Sequence, residues 1–152
     1  MTLPDLDAQN FDRDRQHWIA VRVYYEDTDF TGMVYHANYL RFFERGRSDH
    51  LRDAGVSHQS LLERADPAAF TLTRVEVDYR KAARVDDLLH IRTRYLGMEG
   101  VRIRFAQTCL RGSEIIAEGD ITAVMIHTDG RLRRPIQDIV EHLESYRWGP
   151  DG

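Results

Sequence analysis

Glu26-Asp27-Thr28-Asp29-Phe30-Thr31-Gly32-Met33-Val34-Tyr35-His36-Ala37-Asn38-Tyr39-Leu40-Arg41-Phe42-Phe43-Glu44 is the stretch that decides the fold. Its first half is a carboxylate-rich turn, and its second half opens an aromatic, amphipathic helix. From His36 onward Tyr39, Leu40, Phe43, Gly46, His50, Leu51 and Ala54 recur at helical spacing. Arg41, Glu44, Arg45, Ser48, Asp49, Arg52 and Asp53 fill the other face. The pattern predicts a helix of about five turns. Gly55 stands where a left-handed residue would end it. Gly46 inside it costs about 1 kcal/mol of helix propensity, and the expected compensation is close approach to a packed sheet. The turn brings carboxylates to a helix N-terminus. Unpaired N–H groups and a partial positive charge gather there, and these can hold an oxyanion.

Outward from that stretch the period is that of strands. Residues 18–25 alternate, with Ile19, Val21, Val23 and Tyr25 on one side. Residues 57–64 predict a short helix capped by Ser57. In 70–80 the apolar phase slips from Phe70 and Leu72 to Val75, Val77 and Tyr79, which predicts a bulge near Arg74. Strands follow at 88–96, 101–110 and 114–127. Val101, Ile103, Phe105 and Cys109 share one face of the second, and Arg102 and Arg104 the other. Residues 121–126 are apolar on both faces, as in a strand buried on both sides. Asp129-Gly130 signals a turn, and 135–146 a terminal helix with proline in its first turn. Short links make the last four strands antiparallel. One long helix on a curled antiparallel sheet is an α+β layer architecture.

The chain has 152 residues, 42% hydrophobic and 30% charged, which fits one globular domain. Residues 17–147 are expected to form it, with flexible tails at 1–16 and 148–152. The first tail carries Asp5, Asp7, Asp12 and Asp14 and has no apolar stretch like a signal peptide. No apolar run reaches the ~18 residues of a membrane span. The single cysteine, Cys109, excludes an internal disulfide and a cysteine zinc cluster, and a reducing cytoplasmic setting fits. No metal or cofactor is expected. The net charge of −4 argues against nucleic acid as a partner. The 21 Lys+Arg include one lysine, Lys81, and arginine binds phosphate bidentately, which is compatible with a phosphorylated ligand.

The stretch from Val23 to Asp29, followed by Gly32-Met33-Val34-Tyr35-His36-Ala37-Asn38-Tyr39-Leu40-Arg41-Phe42-Phe43-Glu44, resembles the hotdog-fold acyl-CoA thioesterases. It looks most like the YbgC type, encoded with the Tol-Pal envelope system, and is also similar to 4-hydroxybenzoyl-CoA thioesterase. Asp78-Tyr79-Arg80-Lys81-Ala82-Ala83-Arg84-Val85-Asp86-Asp87 adds to the resemblance. What the resemblance implies is a hotdog fold, a curved antiparallel sheet of about five strands wrapped round one long helix. It also implies a hydrolase cleaving acyl-CoA to acid and thiol. The assembly would be a homodimer or homotetramer with sites between subunits.

Carried onto this sequence, Asp29 matches the family's catalytic aspartate, acting as nucleophile or as general base on water. A turn-forming role is the plain alternative for it. Asp27, two residues earlier, is a second carboxylate or a structural acid. His36 matches the oxyanion-donor position through its backbone N–H. In YbgC-like proteins the side chain here has a catalytic role, and histidine exchanges protons near neutral pH. Gly32 allows a sharp turn, and Tyr35 and Asn38 flank the helix start, where Asn38 is also a candidate cap. Phe42 and Phe43 read as core or interface. Arg80, Lys81 and Arg84 are candidates for the CoA phosphates, as are Arg102 and Arg104. The benzoyl enzyme's run of adjacent basic residues has no match at 97–104, which leaves the carrier open between CoA and acyl-carrier protein. A scaffold that binds acyl thioesters without turnover is the competing class. The hydratase motif His-x-x-x-x-Pro-Gly is absent after His36.

Overall fold

The computed structural model describes residues 2–149. The elements are β1 (His17–Arg22), α1 (Asn38–Asp53), α2 (His58–Leu62), β2 (Ala68–Tyr79), β3 (Leu88–Glu99), β4 (Arg102–Arg111), β5 (Glu114–His127) and α3 (Gln137–Glu144). The strands make one five-stranded sheet in the order β1-β3-β4-β5-β2, with every pairing antiparallel. The sheet curls round α1, the hotdog arrangement. The fold follows from the alternation read in the sequence. The β2 register slips between Leu72 and Arg74, where the apolar phase changes. The middle of β5, from Ile121 to Met125, is buried at every position.

α1 buries Tyr39, Phe42, Phe43, Gly46, His50 and Leu51. Leu40, expected on that face, is 40% exposed, and Phe42 takes the core position. The apolar stripe is centred one residue further round than the Leu40 reading requires, so Leu40 shares the side that carries Glu44. Full burial of a phenylalanine contributes about 1.5–3 kcal/mol, and Phe42 and Phe43 are both fully buried. The Gly46 backbone lies against the sheet. A Cβ there would stand 2.7 Å from Ile91 Cγ2, 2.8 Å from Gln107 Nε2 and 2.9 Å from Thr93 Oγ1. Gln107 Nε2 donates to the Phe43 carbonyl at 2.8 Å and to Thr93 Oγ1 at 2.9 Å, which ties helix to sheet. Gly55, at φ +91°, ends the helix. Ser57 caps α2 by accepting from the Ser60 N–H at 3.1 Å.

Two expectations change. β1 stops at Arg22, and residues Tyr25–Asp27 form a 3-10 turn that leaves Tyr25 79% exposed. The Asp27 carboxylate accepts from the Tyr24 N–H at 2.8 Å and turns the chain out of the strand. Within 1–16, Phe11 is only 3% exposed and packs edge-on to His17 and His50, at centroid distances of 4.9 and 5.1 Å. Trp18 Nε1 donates to Asp12 at 2.9 Å, and His17 Nε2 lies 2.6 Å from Asp53. These contacts hold that segment over the core. At the other end, Trp148 stacks with the Arg94 guanidinium at 4.3 Å, and residues 150–152 lie outside the described ones.

Candidate active site

The turn after β1 is built by short local bonds. The Asp29 N–H donates to the Met33 carbonyl at 2.9 Å and the Gly32 N–H to the Asp29 carbonyl at 3.1 Å. Gly32 takes φ +81°, a conformation that other residues rarely adopt. The Met33–Arg84 bridge and a Val34 N–H to Ala83 carbonyl bond of 2.9 Å fasten the turn to the loop after β2. Asp29 is half-buried. Its Oδ1 accepts from the Thr31 hydroxyl and, at 2.8 Å, from the Thr31 N–H. The Thr31 hydroxyl bond and then its backbone bond hold the carboxyl below the usual carboxylate range. So Asp29 has the turn-forming role, and it also faces the cleft.

That cleft, about 400 Å³, is lined by Asp29, Met33, Val34, His36, Tyr39, Tyr79, Arg80, Lys81 and Ala82. It thus brings together Asp29 and His36 with Arg80 and Lys81. His36 stands just before α1 on an exposed turn. Its ring lies 4.5 Å from Tyr35 and 6.4 Å, edge-on, from Tyr79. Ala37, at the N-cap, supplies no side-chain acceptor, and the first turn of α1 carries no acidic residue. Among the described residues nothing accepts from the backbone N–H groups of His36 and Ala37. The positive end of α1 is left open, as an oxyanion requires.

Asp27 and Asn38 have other work. Asp27 is 6% exposed and accepts from Asn38 Nδ2 at 2.8 Å, so Asn38 braces the turn rather than capping the helix with its side chain. The two carboxylates of the turn therefore do not act as a pair, because Asp27 is spent on the Tyr24 and Asn38 donors. Gly32, Tyr35 and Asn38 shape the loop and do not line the cleft. Arg80 is paired with Glu118 at 2.7 Å and Lys81 with Glu114 at 2.9 Å, both glutamates on β5. The Arg84 side chain is exposed, and its N–H donates to Asp87 at 2.9 Å. Arg104 is paired with Asp120 and Glu99 and, with Arg102, lines a different depression. Tyr79 is the cleft residue that the alternation assigned only to a strand face. Its hydroxyl donates to the His36 carbonyl at 2.9 Å, a contact across 43 residues that no local pattern announces.

Among the described residues there is no group of three His, Cys, Asp or Glu able to hold a metal, and no helix is long and apolar enough to cross a membrane.

Comparison with known proteins agrees with this architecture. Residues 23–143 match the profile of the thioesterase-like superfamily. An acyl-CoA thioesterase YbgC of Haemophilus influenzae is 41% identical over 106 residues, 70% of this chain and 77% of that protein. The acyl-CoA thioester hydrolase YbgC of Escherichia coli is 39% identical over 107 residues, 70% of this chain and 78% of the relative. The crystal structure of a probable thioesterase from Bartonella henselae superposes with a TM-score of 0.77 at 36% identity, covering 80% of this chain and 99% of that one. The chain belongs to the thioesterase-like superfamily, in its YbgC-like branch of hotdog-fold acyl-CoA thioesterases.

Proposed function

We propose that this chain hydrolyses acyl-CoA thioesters with Asp29 as the group that delivers the attacking oxygen and the open start of α1 as the oxyanion site. The observation that carries this is the shared cleft: Asp29 and His36 line one 400 Å³ space beside an uncapped helix N-terminus. The carboxylate attacks the thioester carbon itself, or takes a proton from a water that attacks. Negative charge then gathers on the carbonyl oxygen, where the His36 N–H donates to it. Collapse breaks the C–S bond, and the CoA thiolate leaves and is protonated. On the general-base route this gives the acid directly. On the nucleophilic route it leaves an anhydride between the acyl group and Asp29, which a water then hydrolyses to the acid and the free carboxylate. The Asp29 carboxyl is ionised at neutral pH, and the Thr31 bonds hold its pKa below the usual carboxylate range. Arg80 and Lys81, at the cleft wall, are the cations assigned to the nucleotide phosphates, which would compete with Glu118 and Glu114 for them. Arg84 lies on the adjoining loop.

The test is thiol release from a panel of short, long and aryl acyl-CoA and acyl-carrier-protein thioesters. The wild-type chain should release thiol. The Asp29→Asn protein should be slower by about 10²–10⁴-fold, the range for a removed acid–base group. Equal rates for the two proteins would remove Asp29 from the chemistry. Isotope-labelled water in a single turnover separates the routes, since only the nucleophilic route leaves the label in the Asp29 carboxyl.

The working unit is a homo-oligomer. Support comes from β2, a twelve-residue strand at the sheet edge whose outer residues are mostly exposed. A long unpaired edge invites a partner strand. Light scattering that gives the mass of a single chain at assay concentrations would refute this. Location in the cytoplasm is part of the same proposal and is checked by cell fractionation.

A further inference from the structure

We infer that Tyr79 is a positioning residue for this site: its hydroxyl clamps the His36 carbonyl and so sets the orientation of the helix-start amides. The inference rests on the thioesterase reading and deepens it.

The segment before α1 is anchored on both sides of His36. Upstream, the Tyr35 N–H donates to the Asp27 carbonyl at 3.0 Å. Downstream, the Asn38 N–H donates to the Tyr35 carbonyl at 2.8 Å, and the helix begins. His36 itself has one hydrogen bond among the described residues, and Tyr79 donates it. Without that bond the 36–37 peptide is free to tilt, and the Ala37 N–H, which stands beside the His36 N–H at the open helix start, tilts with it. Oxyanion donors work only at about 2.7–3.1 Å from the charge they meet, so a small tilt is costly.

Tyr79 is suited to the task. It ends β2, where it is in register with Ala117 of β5, so its backbone belongs to the sheet. Its ring meets Tyr39 edge-on at 5.6 Å, and Tyr39 is itself held by accepting from the Ala83 N–H at 3.2 Å. Partial burial raises the Tyr79 phenol above its ordinary pKa, which keeps the donor proton in place. A donor on the His36 carbonyl also polarises that peptide and strengthens its N–H, which belongs to Ala37. The residue therefore links the far edge of the sheet to the reacting end of the helix.

The experiment compares wild type and Tyr79→Phe, which keeps the ring and removes the hydroxyl. Steady-state hydrolysis should show kcat about tenfold lower with KM within about twofold, the size of one lost hydrogen bond acting on the transition state. Amide NMR should show the His36 and Ala37 resonances shifted and their exchange faster, at an unchanged melting temperature. Wild-type kcat, a loss confined to KM, or unmoved amides would overturn the proposal. If the wild-type chain releases no thiol from any thioester, the catalytic reading fails on its own, and the amide spectra still decide whether the clamp exists.

Discussion

Replacing Gly46 with alanine sets two effects against each other, and the structure says which wins. The methyl group gains about 1 kcal/mol of helix propensity. It also arrives 2.7 Å from Ile91 Cγ2, 2.8 Å from Gln107 Nε2 and 2.9 Å from Thr93 Oγ1. Relaxed carbon contacts lie near 3.5–4.0 Å, so helix and sheet must part by about 1 Å at their tightest point. Overpacking of this kind costs about 1–3 kcal/mol. Two of the three obstacles are polar and already bonded, because Gln107 Nε2 serves both the Phe43 carbonyl and Thr93 Oγ1. Displacing that amide leaves buried groups unsatisfied, for about 1–3 kcal/mol more. The net is a loss of about 3 kcal/mol, and at about 2–4 °C per kcal/mol the melting temperature falls by roughly 6–12 °C. Urea unfolding followed by circular dichroism measures the first figure and a thermal melt the second. A Gly46→Ala protein as stable as wild type, or more so, would refute the claim that contact with the sheet dictates this glycine.

Thr31→Val removes the hydroxyl that does most to hold the Asp29 carboxyl low. The acid limb of kcat/KM should move to higher pH, and a pH–rate profile of the two proteins checks it. His50 is fully buried with neither ring nitrogen bonded, and burial, then the nearby His17, pushes its pKa down to about 3. An unfolded histidine titrates near 6.5, so between about 6.5 and 3 the unfolded chain takes a proton that the folded chain refuses. The His50 contribution leaves stability intact above that window and erodes it as pH falls, by up to about 1.4 kcal/mol per pH unit. Urea unfolding from pH 7 down should show a shallower decline in His50→Leu than in wild type; equal slopes would refute the assignment.

Much of the fold was legible because its signals are local. The period changes near His36, Gly55 ends a helix, and the Leu72–Arg74 slip moves an apolar phase by one residue. Asp29 and His36 stand out as a carboxylate turn before a helix, and both line one cleft. What the sequence hid depends on register. Asp27 read as a second carboxylate or a structural acid; it is the structural acid, and its donors are Tyr24 and Asn38, the second 11 residues away. Arg80 and Lys81 read as free cations, but the β2–β5 pairing sets glutamates against both. Tyr79 looked like any aromatic on a strand, because its acceptor is a backbone carbonyl and backbone leaves no trace in composition. Phe11 was lost among aspartates, where one aromatic does not make a pattern.

The family profile starts at residue 23, yet Phe11, His17, Trp18 and Val21 lie inside the water-excluding interior. A chain trimmed to the homologous block would lose edge strand β1. It would also pull the Phe11 ring from its seat between His17, His50 and Tyr146. The vacated space would open in the core cluster that also holds Leu51 and Tyr95, and the remaining piece would come out of a cell as aggregate. Kinship, for this molecule, is written on a shorter length of chain than integrity is.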